Sequence, residues 1–215
     1  MSILVFANGD MDSTGWVTPY LQRATVVIAA NGGVRHVLAL GRTPDVLIGD
    51  LDSLGQGVRE RLIEQSTTIL PYDAEKDETD LELALLYAVA TYEEEILILG
   101  GLGGRVDQMI ANILLLMHPK LRGRSISFQT QYQRILLIDG EATIEGQTGD
   151  MLSLIPLGGD VHVTHTEGLR WAVHDDILAF GPARGVSNEM MEETARVRVH
   201  RGHLLCIHTR RVWQR

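Results

Sequence analysis

Short apolar runs alternate with segments of helical periodicity over the first part of the chain. The runs predict β-strands, which are short and rich in β-branched residues when both faces are buried. Predicted strands occupy 3–7, 25–30, 46–48, 67–70 and 96–99. Predicted helices occupy 16–22, 34–40, 58–65, 79–92 and 106–118. This alternation predicts an α/β domain with a mostly parallel, Rossmann-like sheet in a three-layer arrangement.

The pattern changes after residue 124. Strand candidates then follow one another, many of them separated by glycine-containing turns, and no helical pattern intervenes. They are 125–130, 134–138, 142–145, 151–156, 161–164, 169–173, 177–180, 195–199 and 204–208. Such a series is typical of an antiparallel sandwich or barrel. We therefore predict two domains, an α/β domain at 1–128 and an all-β domain at 129–215.

The predicted helix 106–118 has two chemically different faces. Gln108 and Asn112 share one face, a turn apart. The apolar residues fall on another, at Val106, Met109, Ile110, Ile113, Leu114 and Met117.

Charge and cysteine usage limit the function classes. The chain has 215 residues and a net charge of −9, which argues against a general nucleic-acid binder. Its single cysteine, Cys206, lies in an apolar run and predicts a buried thiol without an intramolecular disulfide. The first ten residues turn polar too soon for a signal peptide or membrane span. We therefore expect a cytoplasmic protein.

Acidic residues concentrate between positions 45 and 82. This segment contains eleven Asp or Glu and only three Lys or Arg. Asp50 and Asp52 directly follow the predicted strand 46–48. In an extended chain they would share a face some 7 Å apart and repel by about 2 kcal/mol. A hard cation such as Mg²⁺ turns this repulsion into coordination. Carboxylates at the end of a buried strand therefore favour a metal–phosphate site.

A second acidic cluster lies just before the predicted helix 79–92. Thr79 and Glu82 have the spacing of a capping box, so helix-start chemistry alone explains part of this cluster. The alternative is that Asp77 and Asp80 add carboxylates to the site after strand 46–48. The two interpretations stay open for the second cluster, and the two clusters together favour a metal site.

The glycine-rich loop Gly100–Arg105 is a candidate phosphate cradle. Its glycines let backbone N–H groups approach an anion, a helix begins behind it, and Arg105 can pair with phosphate oxygens. The glycine spacing matches neither a P-loop nor the dinucleotide-binding pattern. No nucleophile-elbow pattern or zinc-ligand spacing is present. The residues therefore indicate a Mg²⁺-dependent nucleotide enzyme that transfers a phosphoryl or pyrophosphoryl group.

Motifs along nearly the whole chain resemble those of the thiamine pyrophosphokinase family. In the first domain they are 31–33 (NGG), 49–53 (GDLDS), 77–80 (DETD) and 100–108 (GGLGGRVDQ). In the second domain they are 168–171 (GLRW), 178–181 (LAFG) and 187–189 (SNE). The resemblance implies a homodimer that uses Mg²⁺ and transfers pyrophosphate from ATP to thiamine, leaving AMP. It also implies that thiamine lies between subunits, against the tryptophan of the β-domain.

The resemblance assigns roles to individual residues. Metal binding and catalysis are expected of Asp50, Asp52 and Asp80, with Arg105 offsetting charge on the phosphates. ATP binding is expected of Asn31, Gly32, Gly33, Asp77, Thr79, Gly101, Gly104, Arg105, Asp107 and Gln108. Thiamine binding is expected of Trp171, Ser187 and Asn188.

Three positions depart from the family pattern. Asn31 stands where members often carry Asp, Gln108 where many bacterial members carry His, and Arg170 where Lys is common. Two alternatives stay open beside the thiamine kinase. One is a pyrophosphokinase for another heterocyclic alcohol, such as a pterin. The other is a regulator that binds nucleotide or thiamine without catalysis.

Overall fold

The computed structural model describes residues 1–51 and 54–211. The predicted metal ligand Asp52 lies outside the described residues. The chain divides into two compact units, Met1–Gln131 and Tyr132–Arg215.

The first unit contains a parallel sheet and helices. The strands are β1 (Ser2–Phe6), β2 (Ala24–Ala30), β3 (Val46–Gly49), β4 (Thr68–Pro71), β5 (Glu95–Leu99) and β6 (Ile126–Gln129). The α-helices are α1 (Thr18–Arg23), α2 (Val34–Ala39), α3 (Gln56–Glu64), α4 (Asp80–Thr91) and α5 (Val106–Leu114). Three 3-10 turns lie at Gly15–Val17, Asn31–Gly33 and Leu115–Met117.

The strand order in this unit is β6-β5-β1-β2-β3-β4, and each neighbouring pair in this order is parallel. The predicted α/β half is thereby confirmed. The run 125–130, predicted as the start of the β-rich series, instead supplies β6, which pairs parallel with β5. Strand order reverses at β1, which has β2 on one side and β5 on the other. Open α/β sheets bind ligands at such a point.

Burial explains why the central strands read as continuous apolar runs. All five residues of β1 are buried, and Phe6 is fully enclosed. Helix α4 packs on the sheet through Leu81, Ala84, Leu85 and Ala88, which are spaced as one helical face.

Helix α5 behaves differently from α4. Its apolar residues Val106, Ile110 and Leu114 are 66%, 55% and 50% exposed, whereas the polar Asn112 is buried. Amphipathicity was predicted for this helix, and Asn112 on its polar face is its buried residue, while Gln108 on the same face is exposed.

The second unit is an antiparallel β structure, as predicted. Its strands are β7 (Gln133–Ile138), β8 (Glu141–Glu145), β9 (Met151–Glu167), β10 (His174–Leu178), β11 (Asn188–Glu189) and β12 (Thr194–Thr209). Strand β12 pairs with β7, β8 and β9, and β9 also pairs with β10 and β11. Inward side chains of β9 and β12, including Leu154, Val163 and Val197, form its core with the fully buried Cys206. Burial raises the pKa of the Cys206 thiol to about 12, so it stays neutral.

Several strand predictions in this unit were wrong in detail. The candidates 151–156 and 161–164 form one strand, β9, and 195–199 and 204–208 form one strand, β12, whose register shifts between Arg198 and His203. The candidate 169–173 forms no extended strand, and only Leu169 makes an isolated bridge, to Met190. Among the described residues, no helix is long and apolar enough to cross a membrane.

Candidate active site

Two glycine-containing loops meet at the carboxyl ends of β1 and β5. The Gly9 N–H donates to Gly100 O at 2.7 Å. A Cβ on Gly9 would lie 2.5 Å from Gly100 O, and a Cβ on Gly100, whose φ is +64°, would lie 2.6 Å from Ala7 O. Glycine is therefore required at both positions, and the two loops close one wall of a cleft.

Asn112 fixes the loop after β5 from the neighbouring helix α5. Its Nδ2 donates to Gly101 O at 2.7 Å, and its side chain is buried. A buried group that loses such a partner costs about 1–3 kcal/mol. Gln108 and Asn112 both line the cleft, so the polar face of α5 is turned toward it.

The cleft has a volume of about 500 Å³. It lies where the strand order reverses, and most of the predicted first-unit site residues line it. They are Asn31, Gly32, Asp50, Thr79, Asp80, Gly101, Gly104, Arg105 and Gln108. Gly33, Asp77 and Asp107 do not line it. Gly33 is buried where a Cβ would lie 2.0 Å from Phe6 O, so it serves backbone packing.

Two carboxylates from different elements meet in the cleft. Asp50 follows β3 and Asp80 begins α4. Asn31 Nδ2 donates to Asp50 Oδ1 and to Asp80 Oδ2, at 2.9 Å in each case. Because both oxygens contact one nitrogen, they lie within about 6 Å of each other. At an effective dielectric near 20, two charges at this range repel by about 3 kcal/mol.

Lys76 supplies a positive charge beside this pair. Its Nζ lies 2.8 Å from Asp80 Oδ1, and the two side chains are 13% and 23% exposed. Asp80 Oδ1 is itself buried and has no hydrogen-bond donor among the described residues. The contact is therefore an ion pair without the angle of a hydrogen bond, and Asp80 Oδ1 keeps a lone pair for another ligand.

Thr79 explains how Asp80 comes to point into the cleft. Its Oγ1 accepts from Glu82 N at 3.2 Å and caps α4, as the Thr-x-x-Glu spacing predicted. The Glu82 carboxylate lies 3.6 Å from His118 Nε2. The helix cap and the acidic site are thus compatible, because Thr79 caps the helix that carries Asp80.

Arg105 lies on the rim of the cleft and is paired with its neighbour. Its Nε donates to Asp107 Oδ1 at 3.1 Å, and its terminal nitrogen contacts Asp107 Oδ2. The hydrogen bond from Arg105 lowers the pKa of Asp107 and keeps it ionised. Both side chains are more than half exposed, so this pair is open to exchange with an anion.

The second unit has a smaller pocket of about 350 Å³ around Trp171. The indole is 57% exposed, and Arg170 Cζ lies 5.0 Å from its ring centroid. Arg170 is held by Glu189, since its Nη1 donates to Glu189 Oε2 at 2.9 Å. Ser187 and Asn188 also line the pocket.

Both polar atoms of the Asn188 side-chain amide form hydrogen bonds with the backbone of Trp171. Its Oδ1 accepts from Trp171 N at 3.0 Å, and its Nδ2 donates to Trp171 O at 2.7 Å. The Asn188 side chain is buried. Asn188 therefore positions Trp171 in the pocket.

Two protein-family models match consecutive parts of the chain. The thiamin pyrophosphokinase catalytic domain matches residues 17–128, and the thiamin pyrophosphokinase vitamin B1 binding domain matches residues 141–204. The chain belongs to the thiamin pyrophosphokinase family. The predicted family, enzyme class and fold are thereby confirmed.

Relatives in this family span nearly the same length or more. Thiamine pyrophosphokinase of Bacillus subtilis is 29% identical over 96% of this chain and 97% of its own. Thiamine pyrophosphokinase 3 of Oryza sativa is 30% identical over 82% of this chain and 75% of its own. The crystal structure of the Bacillus subtilis protein has a TM-score of 0.86, covering 98% of this chain and 100% of that one, at 28% identity.

Within this thiamin pyrophosphokinase fold, Lys76 is a cleft residue that sequence reasoning missed. It is one of the three basic residues in the acidic segment 45–82. Its position four residues before Asp80 carried no helical signal, because α4 begins only at Asp80. The ion pair with Asp80 therefore depends on loop geometry that the sequence pattern does not reveal.

The loop after β1 was also missed as part of the site. Asn8, Gly9 and Asp10 line the cleft. Arg35 Nε donates to Asn8 Oδ1 at 2.8 Å, and His36 Nε2 lies 2.8 Å from Gly9 O. Burial lowers the pKa of His36, so the neutral ring holds this loop with its Nε2–H. The available signal was a polar turn at the end of a buried strand.

Proposed function

We propose that this chain transfers the pyrophosphoryl group of ATP to the hydroxyl of thiamine, giving thiamine diphosphate and AMP. The observation that carries the proposal is the pairing of Asp50 with Asp80 beside a glycine loop at the reversal of strand order. The match to a vitamin B1 binding domain favours thiamine over a pterin alcohol.

The carboxylate pair has the chemistry of a magnesium site. Mg²⁺ prefers hard oxygen ligands and takes one or two carboxylates together with substrate phosphates. Lys76 Nζ lies 2.8 Å from the buried Asp80 Oδ1, so this oxygen faces a positive charge in the metal-free protein as well. Asp50 and Asp80 would hold Mg²⁺ together with Asp52, and the bound ion would offset phosphate charge.

ATP would lie along the glycine loop and the N-terminus of α5. Backbone N–H groups of Gly101 and Gly104 and the helix dipole favour anions there. Arg105 would exchange Asp107 for a phosphate oxygen, since both side chains are exposed. The remaining ATP contacts are assigned to the cleft residues Asn31, Gly32, Thr79 and Gln108, and not to Gly33, Asp77 and Asp107, which do not line the cleft.

Thiamine would bind at Trp171 in the second unit, with Ser187 lining the same pocket and Asn188 holding the indole in place. Its thiazolium ring is permanently cationic, and an indole face attracts cations. Arg170 already covers one face of Trp171, so the thiazolium would stack on the opposite face.

Positioning and electrostatics would supply most of the rate enhancement. The thiamine hydroxyl would attack the β-phosphorus in line, with AMP as the leaving group and no covalent enzyme intermediate. Holding the two substrates in one geometry removes most of the entropy cost of their meeting.

A homodimer with shared active sites fits the exposed apolar surface of each unit. Val106, Ile110 and Leu114 form an exposed stripe on α5, the helix that borders the cleft. Trp171 and Phe180 are 57% and 58% exposed in the second unit. We propose that a second copy covers these surfaces and brings its Trp171 to the acidic cleft. We propose a cytoplasmic location for the dimer.

A substrate panel tests this function. The purified chain would be incubated with ATP, Mg²⁺ and either thiamine or a pterin alcohol, and AMP and the pyrophosphorylated alcohol would be quantified. We expect thiamine diphosphate and AMP in equal amounts. AMP formed only with the pterin alcohol, or thiamine binding without any AMP, would contradict the proposal.

A further inference from the structure

An amide fills the space between the two cleft carboxylates. Asn31 Nδ2 donates one proton to Asp50 Oδ1 and the other to Asp80 Oδ2. An amide nitrogen has two protons to donate and no charge, so it links both carboxylates without neutralising either. The positive charge of Lys76 reaches the pair from the far oxygen of Asp80.

The backbone around Asn31 fixes its position. Asn31 has a φ of +44°, a left-handed conformation that Asn adopts more readily than most residues. A Cβ on Gly49 would lie 2.8 Å from Asn31 Cβ, so the end of β3 packs directly on it. A Cβ on Gly32 would lie 2.5 Å from the Asn8 side chain. The amide is therefore held by close backbone packing as well as by its bonds to the carboxylates.

We propose that Asn31 is a positioning residue that holds Asp50 and Asp80 together in the metal-free protein, so that the pair is preformed for a divalent cation. The inference rests on the metal role of this pair given under the proposed function. It assigns Asn31 to the carboxylates, in addition to any contact with nucleotide.

The residue type at position 31 then sets a balance between stability without metal and affinity for metal. A carboxylate there would repel Asp50 and Asp80 in the metal-free protein. The same carboxylate would add a charged ligand, and ligand charge raises cation affinity. Asparagine keeps the pair closed at the expense of weaker metal binding.

Thermal unfolding with and without Mg²⁺ tests this role, with no nucleotide or thiamine present. The wild type, Asn31→Ala and Asn31→Asp would each be measured in EDTA and in saturating Mg²⁺. We expect both variants to lose more Tm in EDTA than in Mg²⁺, with a loss of about 5 °C for Asn31→Asp in EDTA. Calorimetric titration should show Mg²⁺ binding at least about tenfold tighter in Asn31→Asp than in the wild type.

Asn8→Asp is the matched control, because it makes the same chemical change in the same cleft. Asn8 Oδ1 accepts from Arg35, so a carboxylate there would pair with the guanidinium. We expect its change in Tm to be equal in EDTA and Mg²⁺.

Equal losses of Tm in EDTA and in Mg²⁺ for both Asn31 variants would overturn the proposal, since an ordinary structural residue costs the same under both conditions. Folding of Asn31→Asp only in Mg²⁺ would support it. If Asn31→Asp folds under neither condition, the comparison rests on Asn31→Ala: a larger loss of Tm in EDTA than in Mg²⁺ would support the proposal, and equal losses would overturn it. None of these experiments measures turnover or substrate binding. A negative result for Asn31 is therefore distinguishable from failure of the proposed function.

Discussion

Single side chains in the cleft differ in how firmly they are held. Lys76 and Asp80 form a mostly buried ion pair, whereas Arg105 and Asp107 form an exposed one. A buried charge that loses its partner is costly, while an exposed pair contributes little to stability. We therefore expect substitution of Asp80 to affect both folding and activity, and substitution of Arg105 to affect activity alone.

Asp80→Asn should lower kcat by at least about a hundredfold, because it removes a charged metal ligand. Steady-state formation of AMP at saturating Mg²⁺ measures this, and circular dichroism gives the folded fraction. Glu75→Gln is the control, since Glu75 is exposed in the same segment and does not line the cleft. Near-normal turnover of a folded Asp80→Asn protein would contradict the metal role.

Arg105→Lys should lower kcat/KM for ATP by roughly tenfold or more, because an ammonium cannot reproduce the two-pronged guanidinium contact with phosphate. Its Tm should stay at the wild-type value, since the side chain is exposed. Arg59→Lys, on the exposed surface of α3, controls for the substitution itself. Unchanged constants for ATP would mark Arg105 as an ordinary surface charge.

At this scale the sequence predicted where the cleft carboxylates Asp50 and Asp80 lie better than it predicted their partners. Asp50 could be placed at a strand end and Asp80 at a helix start, and these ends meet in an open α/β sheet. The amide bridge of Asn31 and the approach of Lys76 depend on loop conformations that no periodicity encodes. The resemblance implies that Asn188 binds thiamine. In the structure, its side chain forms hydrogen bonds with the Trp171 backbone.

Among the elements, the α/β half was predictable because its strands and helices alternate with clear periods. The long strands β9 and β12 were not, since Gly158, Gly159 and Gly202 read as turns although they lie within strands. Gly202, with a φ of +97°, lets β12 pass Asp160 O, which a Cβ would approach to 2.8 Å. The exposure of the apolar stripe on α5 could not be predicted either. Periodicity shows that a helix has two faces, but it does not show which face is buried.

Asp150 makes the second unit sensitive to acid. Burial alone would raise the pKa of Asp150, but hydrogen bonds from Arg211 N, His208 Nε2 and Gln147 N outweigh it and lower the pKa. A lowered folded-state pKa stabilises the protein above the unfolded pKa, and this stability is lost as pH falls through the folded value.

Asp150→Asn should therefore destabilise the protein by about 1–3 kcal/mol at pH 7 and flatten the acid branch of its stability curve. Urea unfolding between about pH 3 and pH 7, the range in which carboxylates titrate, measures both effects. Asp160→Asn would serve for comparison in the same unit. An acid branch as steep in Asp150→Asn as in the wild type would contradict the assignment.

At the scale of the whole molecule, each active site of the proposed dimer contains residues from both chains. Trp171→Ala should weaken thiamine binding, since both cation–π attraction and packing area are lost. ATP binding should barely change, because the cleft that would hold it is lined entirely by the first unit.

At a thiamine concentration too low for Trp171→Ala to turn over, mixing Trp171→Ala with Asp80→Asn subunits should restore activity, through hybrid dimers that contain one intact site. Random exchange would recover about a quarter of wild-type turnover. Mass spectrometry of differently tagged chains verifies that exchange has occurred. Verified hybrids without activity would mean that both halves of a site come from one chain.

The most direct test of the proposed reaction is the fate of the β-phosphorus of ATP. The purified chain would be given thiamine, Mg²⁺ and ATP labelled at the β-phosphate, with Asp80→Asn as the inactive control. Transfer of an intact pyrophosphoryl group predicts that the label appears in thiamine diphosphate, in an amount equal to unlabelled AMP. Labelled ADP accompanied by unlabelled thiamine phosphate would contradict it.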